Sequence, residues 1–109
     1  NIDKIIKNEK IFKQKNLTIA AFSKHLNIPE YQLRFCIHKG LGYDNFNEFI
    51  NYYRIDEAKK LLDNKSYFNS KLLVLASEVG FSSLTPFHKS FKKEIGMSPS
   101  EYKKRLKKI

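Results

Sequence analysis

Apolar residues recur along this chain at spacings of three and four, and no stretch alternates strictly over the length of a strand. Ile2, Ile5, Ile6 and Phe12 predict a first helix over about 2–14. Thr18 is placed to cap a second helix, whose inner face is Ile19, Phe22, Ser23 and Leu26. Asn27-Ile28-Pro29 reads as a turn, with Pro29 suited to the first position of a third helix over about 30–39. That helix buries Leu33, Cys36 and Ile37, and Gly40-Leu41-Gly42 stops it. A long helix over about 45–62 follows, with Phe46, Phe49, Ile50, Tyr53, Ala58, Leu61 and Leu62 on its inner stripe. After a polar loop at 63–71, Leu72, Leu75, Ala76 and Val79 predict a short fifth helix ended by Gly80. Ser82 or Ser83 can cap a sixth, near 83–94, that buries Phe87, Ser90 and Phe91. Gly96-Met97-Ser98-Pro99 turns into a basic last helix through Tyr102 and Leu106. The expected fold is all-α with seven helices.

The pattern repeats. Shifted by 53, Ile19, Phe22, Ser23, Leu26, Asn27 and Ile28 fall on Leu72, Leu75, Ala76, Val79, Gly80 and Phe81. With one extra residue in the second turn, Leu33, Ile37, Leu41 and Gly42 fall on Phe87, Phe91, Ile95 and Gly96. Glu48 and Phe49 return to the first shift, on Glu101 and Tyr102. Each copy is a short helix, a tight turn, a second helix and a glycine stop. That is a helix-turn-helix unit, whose second helix can enter a DNA major groove. The expected organisation is one domain over 1–109: a first lobe at 1–44, a linker helix at 45–62 and a second lobe at 63–109.

Charge narrows the function. Lysine and arginine number 21 against 11 acids, a formal charge of +10, which favours a polyanionic partner. No apolar run approaches the ~20 residues of a membrane span, and no signal-peptide pattern opens the chain. One cysteine makes no internal disulfide, so a cytoplasmic setting is expected. The chain opens at Asn1 without methionine and is expected to be part of a longer protein. Cys36 and His38 sit two apart on a helix and face different ways, so no metal site is expected. Gly40-Leu41-Gly42 lacks the Gly-Lys-Ser/Thr ending of a phosphate loop, and no catalytic constellation or cofactor site is expected. Two rival readings are a basic last helix lying on an anionic membrane and a protein-binding helical module. The first is weakened because the apolar face of that helix is short and needed by the core, so no membrane contact is expected.

The second repeat resembles the DNA-binding domain of the AraC/XylS family of bacterial transcription regulators. The matching residues are Ala76-Ser77-Glu78-Val79-Gly80-Phe81-Ser82-Ser83, Phe87, Phe91-Lys92-Lys93 and Gly96-Met97-Ser98-Pro99-Ser100-Glu101-Tyr102. The linker Tyr53-Arg54-Ile55-Asp56-Glu57-Ala58-Lys59-Lys60-Leu61-Leu62 fits too, as do Leu17-Thr18 and Leu26-Asn27-Ile28 in the first unit. The resemblance implies two homeodomain-like helix-turn-helix lobes binding promoter DNA, usually C-terminal to a sensor domain. Pro86 stands where the family often has an aromatic residue, and Lys89 where arginine is frequent. Phe35 takes a position in the first reading helix that is commonly polar or basic.

In that family the third and sixth helices read bases. With Leu33, Cys36 and Ile37 inward, the third should present Tyr31, Arg34, Phe35 and His38; the sixth should present Leu84, Thr85, His88 and Lys89. Arg34 can donate twice to guanine, and Leu84 and Thr85 can touch a thymine methyl. Lys39, Lys71, Lys92 and Lys93 are candidates for phosphate contacts. Eighteen linker residues span about 27 Å, close to the roughly 34–36 Å between successive major-groove faces. The expected partners are promoter DNA, an N-terminal sensor domain of the same chain and RNA polymerase. Leu73 and Val74 lie off the buried stripe of the fifth helix, so at least one should face away from its lobe.

Overall fold

The computed structural model describes residues 2–108. Seven α-helices run through them: α1 Ile2–Glu9, α2 Ile19–Leu26, α3 Glu30–Phe35, α4 Phe46–Asp63, α5 Leu72–Glu78, α6 Leu84–Ile95 and α7 Pro99–Lys107. No strand occurs among the described residues. Side chains cap α2, α4 and α7, whereas Ser83 stands at the N-cap of α6 without a side-chain bond and Ser82 Oγ donates to Asn16 Oδ1 instead. Thr18 Oγ1 accepts the Ala21 N–H at 3.1 Å, and Asn45 Oδ1 accepts that of Glu48 at 2.8 Å. Ser98 and Glu101 close a capping box on α7 behind Pro99.

Two helices depart from the pattern. The expected helix over 2–14 ends at Glu9, because Lys10 turns into the left-handed region (φ 52°) and a single 3-10 turn, Ile11–Lys13, follows. The break lets Phe12 bury its ring beside Tyr53 while its carbonyl faces α4. The third helix begins one residue after Pro29, which occupies the N-cap. From Cys36 to Gly40 it widens into a π-type turn, with the Leu41 N–H donating to Cys36 O at 2.9 Å.

The lobes have separate cores on opposite ends of α4. Ile6, Phe12, Leu17, Phe22, Leu33, Ile37, Phe49, Ile50 and Tyr53 form the first. Ile55, Ala58, Leu62, Leu75, Ala76, Val79, Phe81, Phe87 and Phe91 form the second. The seam falls between Tyr53 and Ile55, where Arg54 is itself buried. The domain measures 46 × 24 × 21 Å, with α4 threading both lobes.

Candidate nucleic-acid interface

α3 hangs from the first core by Leu33 and Ile37, both buried and one turn apart. At 100° per residue, Phe35 then points directly away from the core, with Tyr31 and Lys39 beside it. Tyr31 is 70% exposed and Phe35 66%. α6 hangs in the same way from Phe87 and Phe91, so Thr85, Lys89 and Lys92 face outward, all exposed. α3 and α6 therefore share one register, offset by the 54 residues of the repeat.

Several expected side chains are held by neighbours. Arg34 Nη2 donates to Glu30 Oε1 at 2.6 Å, one turn back on α3. This pair fixes the guanidinium to one flank of the helix and leaves other N–H groups available. His38 Nδ1 donates to the Tyr43 carbonyl at 2.9 Å, which holds an exposed ring. His88 is exposed, with its ring 6.0 Å from that of Phe87. Leu84 does not join the outward set. It lies three residues before Phe87, is half-buried and packs on the second core. Cys36 is corrected in the other direction: it is exposed, not core. It sits at the edge of the Leu33–Ile37 stripe, beside an apolar cavity of about 550 Å³ bounded by Phe35, Leu41, Tyr43 and Tyr52.

The lysines divide as well. Lys93 Nζ pairs with Glu48 Oε2 at 3.3 Å, which ties α6 to the first turn of α4. Lys39, Lys71, Lys89 and Lys92 are exposed and form no ion pair among the described residues. Within α3 and α6 the carboxylates are Glu30, which pairs with Arg34, and Glu94, which is exposed near the end of α6; neither lies on the line of Tyr31 and Phe35 or of Thr85, Lys89 and Lys92. The centre of each outward face thus carries aromatic, hydroxyl or ammonium groups and no carboxylate, which suits contact with a polyanion.

Behind these faces, the geometry rests on residues whose role the sequence pattern did not reveal. Arg54 Nε donates to Phe12 O at 2.8 Å, Nη2 to Gln14 O at 3.0 Å and Nη1 to Asn51 Oδ1 at 3.1 Å. Its guanidinium also lies 5.5 Å over the ring of Phe81 in the second lobe. Glu57, one turn on, is buried and receives Lys10 at 3.1 Å and Lys13 at 3.5 Å. The available signal was a charged pair, Arg54 and Glu57, inside an otherwise apolar stripe. Tyr53 donates to Asp3 at 2.6 Å; burial, then this bond, pushes the phenol well above its usual range. Leu73 and Val74 are 51% and 48% exposed and, with Tyr67, Ser77 and Glu78, line a shallow hollow. No described helix is long and apolar enough to cross a membrane.

Comparison with known proteins places the chain. A helix-turn-helix domain family matches residues 22–105. The transcriptional regulatory protein HptR of Staphylococcus aureus is 32% identical over 108 residues, covering 97% of this chain and 40% of that protein. The chain thus spans about two fifths of that relative's length. Among solved structures, the C-terminal domain of AraT, a response regulator from Geobacillus stearothermophilus, is similar with a TM-score of 0.73 at 28% identity. That match covers 88% of this chain and 76% of the other. The C-terminal domain of the two-component response regulator yesN from Fusobacterium nucleatum gives 0.73 at 26%, covering 94% and 98%.

Proposed function

The chain belongs to the AraC/XylS-type family of helix-turn-helix domains, which bind DNA in bacterial transcription regulators; from that premise we propose how it reads a promoter. α3 and α6 enter adjacent major-groove segments on one side of the duplex, held about one helical turn apart by α4. Tyr31, Arg34, Phe35 and His38 read bases in the first segment, and Thr85, His88 and Lys89 in the second. Lys39, Lys71 and Lys92 contact phosphates, while Lys93 acts chiefly by bracing α6 against Glu48. The observation that carries the proposal is the pair of carboxylate-free outward faces at matching register on helices fixed to one rigid linker.

The partners we assign in the full-length protein are promoter DNA, a sensor domain on the N-terminal side and RNA polymerase. The solved neighbours are C-terminal domains of response regulators, which supports a signal-receiving domain before this one. The exposed Leu73–Val74 pair is the candidate contact for a sensor domain, a second copy or the transcription machinery.

Selection of bound sequences from a random duplex pool tests this reading. The expected motif has two half-sites about 10 base pairs apart. With about 6–10 phosphates contacted, affinity should fall by roughly 10³–10⁵ between 50 and 200 mM salt. A single half-site would remove one lobe from the proposal, and a near-flat salt dependence would remove DNA.

A further inference from the structure

The two outward faces differ in chemistry although they match in register. Positions 54 residues apart pair Tyr31 with Thr85 and Phe35 with Lys89. The centre of the second face is therefore an ammonium, and the centre of the first is a phenyl ring. That ring points away from Leu33 and Ile37, is 66% exposed and borders the apolar cavity without filling it. Tyr31 stands one turn before it and is 70% exposed, so the two form an aromatic ridge along the helix. Lys39 follows one turn after and supplies a cation at the end of the ridge.

A phenyl ring has no donor or acceptor with which to read a base edge. The apolar feature that a base pair displays in the major groove is the C5-methyl of thymine. A ring and a methyl that meet there both leave water, which favours the contact without any hydrogen bond. We propose that Phe35, supported by Tyr31, is a thymine-methyl reader that makes the first half-site depend on a 5-methylpyrimidine. This rests on the reading above, in which α3 enters the major groove. It also makes the operator chemically asymmetric, because Lys89 favours guanine or phosphate at the equivalent place.

The test uses this chain and the duplex it selects from a random pool made with thymine. Each thymine of the selected duplex is replaced in turn by deoxyuridine, which removes one methyl and preserves the hydrogen-bonding edge. At one pair of the first half-site, affinity should drop about three- to tenfold. At the same pair, 5-methylcytosine should bind more tightly than cytosine by a similar factor. Phe35→Asn should erase both differences, whereas Phe35→Leu, still apolar, should retain most of each. Circular dichroism and the melting temperature of both variants should match the parent, as expected for an exposed side chain. Failure to enrich any duplex would end the DNA reading and this proposal together. A selected duplex indifferent to every thymine-to-uracil change would overturn this proposal alone. So would a methyl dependence that survives Phe35→Asn, because another side chain would then be the reader.

Discussion

Arg54 reaches from the middle of α4 to the carbonyl oxygen of Phe12, with Nε donating at 2.8 Å. The same side chain donates to Gln14 and Asn51 and lies over Phe81, so it joins the 11–14 segment of the first lobe to the turn between α5 and α6 in the second. Burial pushes its pKa down, and three oxygen acceptors compensate for the lost water. Arg54→Met should therefore destabilise the domain by about 2–4 kcal/mol, since two backbone carbonyls lose their donors. Arg54→Lys should recover less than half of that, because an ammonium cannot reproduce the planar fork. Urea denaturation measures both, and a loss under about 1 kcal/mol for the methionine variant would mean water replaces the clamp easily.

Gly80 backs the same clamp. Its φ of +113° suits glycine, and a Cβ there would press on the Phe12 carbonyl oxygen and stand 2.8 Å from Arg54 Nε. Gly80→Ala should cost at least about 2 kcal/mol, combining strained backbone with displacement of Arg54. Gly42→Ala is the comparison: φ is +81° but nothing lies within 4 Å, so only the backbone cost of about 1 kcal/mol applies. Equal losses at the two glycines would show that the crowding at Gly80 relaxes at no expense.

The helices and the repeat were legible because period and caps are local. Thr18, Asn45 and Ser98 mark helix starts, and Leu33, Ile37, Phe87 and Phe91 carry the inward stripes. What the pattern missed came from contacts between distant segments. Lys10 breaks the first helix so that Phe12 can meet Arg54, 42 residues away. Leu84, three residues before Phe87 and seven before Phe91, has inward spacing and packs on the second core, whereas Cys36 sits at a stripe edge and the widened turn leaves it outside. Lys93 reads as a free cation until Glu48 is brought beside it.

Arg34 and Lys92 should separate base reading from phosphate contact. Arg34→Ala is expected to weaken the selected site by about 1–3 kcal/mol with little effect on random DNA. Lys92→Ala should weaken both alike and reduce the salt slope by about one. Because Glu30 holds Arg34 at 2.6 Å, Glu30→Gln should release the guanidinium and change affinity for the selected site more than for random DNA. Equal losses on both DNAs for Arg34→Ala would reassign that residue to the backbone.

Acid should loosen the lobes through carboxylates held below their usual range. The Tyr53 hydroxyl lowers Asp3, with Lys7 adding to it. Burial raises Asp63, but hydrogen bonds from Tyr102 and Lys59 outweigh it, for a net lowering. A depressed folded-state pKa means the unfolded chain takes up protons first as pH falls. Stability from these bonds is thus complete well above the unfolded carboxylate values of about 4 and is lost as pH drops through the folded ones. Urea midpoints between pH 7 and pH 3 should fall, and Asp3→Asn with Asp63→Asn should flatten the decline. An unchanged pH profile in the double variant would assign the acid sensitivity to other groups.

The second core leaves two apolar side chains of α5 unused. Leu75, Ala76 and Val79 are fully buried, while Leu73 and Val74 stand about half exposed beside them. Their counterparts in the first lobe are Ala20 and Ala21, also exposed but small, so the two lobes differ here as they do at Phe35. Scattered exposed apolar side chains are common on monomers, which makes stability the deciding control. Leu73→Ser with Val74→Glu should leave the melting temperature and DNA affinity of the isolated chain near those of the parent, because neither residue is buried in the second core or lies on α6. In the full-length regulator the same pair should lower promoter output while DNA occupancy persists, since a partner bearing on α5 leaves α6 in its groove. A large loss of stability in the isolated chain would place both residues in the fold instead, and unchanged regulation in cells would leave the hollow beside Tyr67 and Glu78 without a partner.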